Sequence, residues 1–382
     1  MEHFLGPNRE RELLERGFSR RDFFKIASLM GAAASLPCSG EAALAQLSQM
    51  GRIPADAVRI NANENPLGPC PEALAAMGGL LKEGGRYHFE LSDQLCKLLA
   101  SQENLSPDHV QAFAGSSAPL TQSVVAFTSP ARSFVTADPG YEAGERAAQF
   151  IGAKVIRVPL TKSHAHDVRA MAAADANAGL IYVCNPNNPT GTLTPDADLD
   201  WLVEHLPRGA VLLLDEAYVH IAGCRMRSDL VSAGKRVIVL RTFSKIYGMA
   251  GLRAGAALAQ PGLLKRIAQY SFGPLPSTGM AGAIASLEVP ELVPARRKIV
   301  AETRAAVFAF LDRHGFSYVP SVSNHFMLDV KQPGQRVVAA MRTEKIAIGR
   351  VWPSWPTHVR VTIGTPHEME QFQAALLKVM QS

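Results

Sequence analysis

The chain has 382 residues, of which 47% are hydrophobic and 19% charged, a balance typical of globular proteins and not of disordered or collagen-like chains. Its net charge of +5 comes from 39 basic and 34 acidic residues that are scattered along the sequence, so nucleic acid is not an expected partner. No apolar run reaches the roughly 18 residues needed to cross a bilayer, so stable membrane insertion is not expected.

The first 45 residues resemble a twin-arginine export signal. Arg20-Arg21 is followed by Phe23 and then by the apolar stretch 26–36, which has the length of a signal-peptide core and is too short to span a membrane. The small-residue site 43–45 would permit cleavage. These features predict a periplasmic or secreted protein with residues 1–45 as its signal peptide. The alternative is an amphipathic N-terminal helix with an accidental arginine pair.

The middle of the chain alternates apolar runs with amphipathic segments, which predicts an α/β fold with a mostly parallel sheet. The predicted strands are 153–158, 179–183, 210–214 and 236–240. The predicted helices between and around them are 119–127, 143–151, 194–206 and 263–270. Continuous apolar character suits strands that are buried on both faces.

The last hundred residues predict a smaller α+β domain. Its expected elements are a helix at 293–314, strands at 324–330 and 358–363, and a closing helix at 368–379. The expected division of the chain is therefore a signal peptide, an N-terminal segment at 46–85, a large domain at 86–285 and a small C-terminal domain at 286–382.

Polar motifs follow two of the predicted strands, where open α/β sheets bind their ligands. Asn185-Pro186-Asn187-Asn188-Pro189-Thr190-Gly191 forms a turn that can direct amide groups into a cleft, although it also suits an ordinary tight turn. Asp215 ends a buried run and needs a positive partner such as a protonated ring nitrogen, unless it simply caps the next helix.

Two further motifs predict a phosphate site beside an amine nucleophile. Thr242, Ser244 and Arg253 offer hydroxyls and a guanidinium around Lys245, whose amine can act as a nucleophile if its pKa is depressed in a dry cleft. The segment 114–117 opens a predicted helix with small residues, which suits an anion. Together the motifs supply what pyridoxal phosphate requires.

From about residue 58 to the C-terminus, the ordered set of motifs resembles the fold-type I pyridoxal-phosphate aminotransferases of class I/II, most closely the histidinol-phosphate aminotransferase branch. The resemblance implies a three-layer large domain and a homodimer with shared active sites. It further implies that Lys245 forms the Schiff base and shuttles the substrate proton, and that Asp215 pairs with the pyridine nitrogen. The other cofactor-binding residues that it implies are Asn188 and Tyr218 at the phenolate oxygen, Tyr141 stacked on the ring, Ser116, Ser117, Thr242, Ser244 and Arg253 around the phosphate, and Tyr87 reaching the phosphate of the neighbouring subunit.

The same resemblance implies a substrate site that contains Asn63 and Asn324 and binds the anionic end of the substrate at Arg360. Arg350 matches a second arginine of the histidinol-phosphate branch, with a surface ion pair as the alternative. Trp352 and Trp355 either line an apolar pocket or fill the core between the domains.

The expected function is pyridoxal-phosphate-dependent transamination between an amino acid, or an amine like histidinol phosphate, and a 2-oxo acid. Another fold-type I reaction, such as that of a lyase, decarboxylase or racemase, remains the alternative, and a cofactor-sensing regulator is disfavoured by the intact Lys245. The five cysteines show no zinc-type spacing, so no metal is expected. An export signal conflicts with histidine biosynthesis, which is cytoplasmic, so the substrates are expected to lie outside that pathway.

Overall fold

The computed structural model describes residues 7–19, 22–23, 25–26, 53–271 and 273–381. Arg20-Arg21, all but the first residue of the apolar stretch 26–36, Cys38 and the cleavage site 43–45 lie outside the described residues. No helix in the described ranges combines the length and apolar character needed to cross a membrane.

A seven-stranded sheet forms the centre of the fold, in the order β2-β8-β7-β6-β5-β3-β4. β8 runs antiparallel to both of its neighbours, and the remaining neighbouring pairs are parallel. The strands are β2 (Val110–Phe113), β3 (Phe134–Asp138), β4 (Val155–Pro159), β5 (Leu180–Cys184), β6 (Val211–Asp215), β7 (Val237–Thr242) and β8 (Gly255–Ala259). The predicted mostly parallel α/β fold is therefore confirmed.

The residues of β5, β6 and β7 are all buried, because helices cover both faces of this part of the sheet. The helices before and within this region are α1 (Pro7–Glu15), α2 (Pro71–Leu80), α3 (Phe89–Gln102), α4 (Ser117–Phe127), α5 (Ala143–Phe150), α6 (Val168–Ala173), α7 (Asp196–Glu204), α8 (Val219–Ala222), α9 (Ser228–Ser232), α10 (Pro261–Ala268) and α11 (Ser277–Leu287).

The C-terminal part of the chain is built on two small sheets. One is an antiparallel sheet in the order β12-β10-β9, and the other pairs β1 with β11 in parallel. The strands are β1 (Val58–Ile60), β9 (Ser317–Val319), β10 (His325–Asp329), β11 (Ile346–Ile348) and β12 (His358–Thr362), and the helices are α12 (Leu292–Arg313), α13 (Gly334–Thr343) and α14 (Pro366–Gln381). The β1–β11 pair ties the segment before the large sheet to the C-terminal part.

The segment that contains α1 packs against the large sheet's helices. Leu13 and Phe18 are buried, and Arg16 donates hydrogen bonds to the carbonyls of Val125 and Thr128 at the end of α4, at 2.5 and 2.9 Å. A guanidinium at a helix C-terminus satisfies carbonyl groups that lack partners within the helix. Residues ahead of the predicted export motif thus contribute to the folded core.

Candidate active site

Four neighbouring strands of the large sheet end at one edge, and each is followed by a predicted cofactor-binding residue. In spatial order, β7 leads to Lys245, β6 ends at Asp215, β5 leads to Asn188 and β3 leads to Tyr141. All four residues line one cavity of about 1420 Å³, together with Tyr218, Ser116, Ser117, Thr242, Ser244 and Arg253. The structure therefore brings together most of the residues that the sequence motifs singled out.

Asp215 is the last residue of β6 and is almost fully buried. The hydroxyl of Tyr182 donates a hydrogen bond of 3.0 Å to one carboxylate oxygen, and the amide of Ala217 donates one of 3.1 Å to the other. Burial raises the pKa of the Asp215 carboxyl, while the bond from Tyr182 acts in the opposite direction. A buried carboxylate of this kind calls for a cationic partner, which a protonated pyridine nitrogen provides.

Lys245 projects toward the same group of side chains and is 8% exposed. Its Nζ lies 3.4 Å from the carbonyl oxygen of Ala62 and 5.5 Å from the ring centroid of Tyr218. The Tyr218 hydroxyl accepts a hydrogen bond of 2.9 Å from Asn63, which fixes the phenol in position. An amine held among buried groups beside a cavity is suited to act as a nucleophile.

An anion cradle lies at the start of α4. Ser116 and Ser117 line the cavity there, and Arg253 reaches the hydroxyl of Ser244 at 3.4 Å and the carbonyl of Ala114 at 3.2 Å. Gly115 has φ +77°, and a Cβ atom at this position would lie 2.2 Å from an Arg253 nitrogen. The glycine therefore allows the guanidinium to approach the start of the helix, where backbone N–H groups and the helix dipole favour a phosphate.

These donor groups fit pyridoxal phosphate. The cradle suits the phosphate, Asp215 suits the ring nitrogen, Asn188 and Tyr218 suit a ring oxygen, and Lys245 suits the aldehyde. When bound, this cofactor supplies an electron sink for a carbanion at the substrate carbon. No cluster of three or more potential metal ligands occurs among the described residues.

Arg360 is fully buried in β12 and is held next to the cavity. One of its terminal nitrogens donates to the side-chain oxygen of Asn188 at 2.8 Å, and the other donates to the carbonyl of Asn61 at 2.7 Å. Asn188 also lines the cavity with Lys245, so this guanidinium lies one hydrogen bond away from the cavity lining. Its contact with the anionic end of a substrate stays a prediction.

Arg350 forms an ion pair with Glu142, the residue that follows Tyr141. The Arg350 side chain is 5% exposed, so this ion pair differs from the surface pair that was the alternative to a substrate role. Contact of Arg350 with substrate stays a prediction. Trp352 is buried beside both arginines, with Arg350 Cζ at 4.3 Å and Arg360 Cζ at 5.6 Å from its ring centroid. Trp355 is half-buried and contacts His164 and His358.

Asn63 and Asn324 are buried with their side chains engaged in the protein. Asn63 bonds to Tyr218 and accepts a hydrogen bond of 3.1 Å from Thr362, and Asn324 donates to the carbonyl of Asn63 at 3.2 Å. Their contact with substrate stays a prediction. Tyr87 lies outside this cavity lining, is 65% exposed and stacks on Phe89 at 5.4 Å.

Sequence reasoning missed Tyr182, Glu142 and a buried ionic cluster beneath the site. In that cluster Arg241, at the end of β7, is held between Glu103 at 2.7 Å and Glu216. Arg241 directly precedes Thr242 and lies four positions before Lys245, and Glu216 directly follows Asp215. Two features of the sequence could have indicated this cluster. An acidic residue directly follows Asp215, and a basic residue directly precedes Thr242, both at the ends of buried strands.

Comparison with known proteins agrees with this site. Residues 55–376 match the family model of aminotransferase class I and II. A histidinol-phosphate aminotransferase of Symbiobacterium thermophilum is 35% identical over 84% of this chain and 90% of its own, and an aromatic amino acid aminotransferase of Mycobacterium bovis is 36% identical over 84% and 92%.

A solved structure extends the agreement to the fold. The histidinol-phosphate aminotransferase of Sinorhizobium meliloti in complex with pyridoxal-5'-phosphate is 27% identical, covers 90% of this chain and 95% of its own, and superposes with a TM-score of 0.79. The chain belongs to the aminotransferase class I and II family and is a pyridoxal-phosphate-dependent aminotransferase.

Proposed function

We propose that this enzyme transfers the amino group of a 2-amino acid whose carboxylate is bound by Arg360, and that its substrates are not histidine intermediates. The position of Arg360 carries the proposal, because a buried guanidinium 2.8 Å from Asn188 is joined directly to the cavity that contains Lys245. Bidentate binding by a planar guanidinium suits a carboxylate and fixes its orientation.

The residues around the cavity have separate tasks in this reaction. Lys245 would hold the cofactor through Nζ and would move the proton at the substrate α-carbon. Asp215 holds a proton on the ring nitrogen of the cofactor by charge pairing. Arg360 orients the substrate so that the α-proton faces the lysine. Burial of these groups excludes water and strengthens their electrostatic interactions.

A spectroscopic titration tests the proposal. The full-length protein, saturated with pyridoxal phosphate, receives glutamate, phenylalanine or histidinol phosphate in turn, without an amino acceptor. We expect a 2-amino acid to convert the visible absorbance of the bound cofactor, near 420 nm, into absorbance near 330 nm. Conversion by histidinol phosphate alone would contradict the proposed substrate.

The proposed assembly is a homodimer in which Tyr87 contributes to the phosphate site of the other subunit. The exposed, stacked pair of Tyr87 and Phe89 supports it, since two large aromatic side chains on the surface are typical of a contact with another chain. Co-expression of Lys245→Ala with Tyr87→Ala chains tests the sharing. Mixed dimers should regain activity because one of their two sites has both residues intact, whereas independent sites would give no gain.

The proposed location is outside the cytoplasm, reached by the twin-arginine route. The order of the arginine pair, apolar stretch and small-residue site in residues 1–45 supports it. In a bacterial host, the full chain should appear in the periplasmic fraction, and replacement of Arg20 and Arg21 by lysine should retain it in the cytoplasm. Equal distribution of the two proteins would reject this route.

A further inference from the structure

We propose that Arg16 is a positioning residue for the cofactor and acts from outside the cavity. It holds together two walls of the cavity, which are α4 and the segment that follows α10. Binding of pyridoxal phosphate and docking of residues 7–18, here called the docked segment, should therefore strengthen each other. The inference depends on cofactor binding alone and goes beyond the proposed substrate.

The docked segment turns back on itself directly after α1. The amide of Gly17 donates to the carbonyl of Leu14 at 2.9 Å, and the amide of Phe18 donates to the carbonyl of Leu13 at 3.1 Å. This pair of bonds is a Schellman motif, in which a residue with positive φ ends a helix, and Gly17 has φ +86°. Leu13 and Phe18 are buried, and the Arg16 guanidinium lies 5.1 Å from the centre of the Phe18 ring. The turn thus presents two apolar side chains and one cation to the large domain.

The Arg16 side chain joins the two cavity walls. Its Nη1 donates to the hydroxyl of Tyr270 at 2.9 Å, and its Nη2 donates to the carbonyls of Val125 and Thr128. Tyr270 follows α10 and lines the cavity, and residues 117, 118 and 120–122 of α4 line the same cavity. Arg16 therefore acts on the cavity through residues that form its surface, although it is not part of that surface itself.

α4 connects this support to the phosphate site. Its first turn belongs to the anion cradle with Ser116 and Ser117, and the carbonyls at its other end are those that Arg16 satisfies. The helix has 11 residues and is about 16 Å long, so both ends belong to one short element. An anion at the N-terminus and a cation at the C-terminus each complement the helix dipole. Loss of Arg16 would let the last turn of α4 fray and would loosen the cradle.

Opposite charges also face each other across the contact between α1 and α10. Glu12 and Glu15 line a groove of about 460 Å³ together with Lys265 and Arg266. These four side chains are exposed, so their attraction is weaker than the contribution of the buried apolar residues. It nevertheless favours one orientation of α1 on the large domain. Docking therefore rests on burial, hydrogen bonds and charge together.

Arg16 belongs to the part of the chain that the proposed export signal would remove. A chain cleaved at the small-residue site 43–45 would lack this residue, and its affinity for pyridoxal phosphate would be lower than that of the full chain. We therefore expect the enzyme to acquire its cofactor before cleavage, while the docked segment is still attached.

A purely structural role for Arg16 leads to a different expectation. If Arg16 only stabilised the fold, its loss would lower the melting temperature of the protein, but the folded molecules would bind pyridoxal phosphate with unchanged affinity. Cofactor affinity, measured where every variant is folded, is thus the informative quantity.

The first experiment measures the Kd for pyridoxal phosphate in the full-length wild type, in Arg16→Met and in Arg11→Met. Methionine keeps an unbranched apolar side chain but removes the donors. Arg16→Met should raise the Kd about fivefold, at the lower end of typical coupling between two sites. Arg11→Met is the matched control, because Arg11 is an exposed residue of the same helix, and its Kd should equal that of the wild type. Equal Kd values in all three proteins, or equal increases in both variants, would overturn the inference.

Hydrogen exchange of the wild-type full chain, with and without pyridoxal phosphate, tests the coupling without any substitution. Because coupling between two sites is reciprocal, amides of the docked segment should exchange roughly fivefold more slowly when the cofactor is present. α13 in the C-terminal part is the internal control, and its exchange should not change. Unchanged exchange in the docked segment would overturn the inference. Neither measurement uses an amino donor, so a failure of the proposed substrate would leave both results unaffected.

Discussion

The hydroxyl of Tyr182 donates a hydrogen bond of 3.0 Å to the carboxylate of Asp215, and both residues are buried at adjacent strands. The bond favours the charged carboxylate against the burial that raises its pKa. We therefore expect Tyr182 to act as a positioning residue that favours the ionised form of Asp215. Its own pKa is raised well above the usual value, mainly by burial, so it remains a donor across the working pH range.

Tyr182→Phe should therefore impair catalysis most at low pH. Removal of the donor raises the pKa of Asp215 further, and because the charged carboxylate is the active form, the acid limb of the pH profile moves to higher pH. At neutral pH we expect kcat/KM to fall about fivefold, the effect of ~1 kcal/mol for one buried hydrogen bond. The measurement is kcat/KM against pH, and an acid limb that moves to lower pH, or not at all, would contradict this role.

Gly115→Ala should weaken cofactor binding. The new Cβ atom would lie 2.2 Å from the Arg253 guanidinium, which must move away from Ser244, and the residue has φ +77°. We expect the Kd for pyridoxal phosphate to rise by roughly tenfold, as for one lost charge-assisted bond. Gly234→Ala is the control, because Gly234 has φ +71° but an added Cβ meets no atom within 4 Å. If both variants lost the same affinity, backbone strain alone would explain the loss, and the predicted clash with Arg253 would be contradicted.

Arg360→Lys should impair reactions of carboxylate-bearing donors selectively. A lysine cannot reproduce the planar, two-nitrogen contact, so kcat/KM for phenylalanine should fall by roughly 100-fold, or ~3 kcal/mol. Arg360 also contacts Asn188, so part of any loss can arise at the cofactor. The half-reaction of 2-phenylethylamine, which lacks the carboxylate, measures that part. Equal losses with both donors would show that Arg360 does not bind the carboxylate.

Arg241→Met should destabilise the fold in a pH-dependent way. The substitution leaves Glu103 and Glu216 buried without their arginine, at a cost of ~3–5 kcal/mol at pH 7. Burial already raises the pKa of Glu216 to about 6 despite Arg241, so the folded state binds more protons than the unfolded state at mildly acidic pH. The contribution of Glu216 to the free energy of unfolding accordingly decreases as the pH rises from 4.5 to about 6. This decrease should be steeper in Arg241→Met.

Urea unfolding at pH 5 and pH 7 measures this effect, with Arg169→Met as the control. Arg169 is 60% exposed and pairs with Asp198 on the surface, so its loss should change the free energy of unfolding by less than ~1 kcal/mol at either pH. A loss in Arg241→Met that is no larger at pH 7 than at pH 5 would contradict the proposed cause.

Much of the fold and site could be predicted because the strands carry strong local signals. Val211–Asp215 is a continuous apolar run that ends in an acid, and Lys245 follows another such run, so both the strand and the site residue can be recognised locally. Short or small-residue strands such as Gly255–Ala259 and Val58–Ile60 were missed, because three to five residues of mixed character give no clear periodicity. Their pairing is set by distant parts of the chain.

The pairings across the site were not accessible from sequence for the same reason. Glu142 and Arg350 are 208 positions apart, and nothing local in either segment indicates that they meet. Tyr182 lies inside an apolar run, where a tyrosine is an ordinary core residue, and only the register of β5 against β6 places its hydroxyl at Asp215. Residue types therefore predicted the chemistry, whereas the contacts that tune it required the fold.

The measurement that tests the central claim most directly is a product balance in a single turnover. The full-length holoenzyme and Lys245→Ala each receive phenylalanine without an acceptor, and the released 2-oxo acid and carbon dioxide are quantified against bound cofactor. We predict one 2-oxo acid for each cofactor, no carbon dioxide, and no product from Lys245→Ala. Carbon dioxide as the product, or equal product from the lysine variant, would contradict transamination at Lys245.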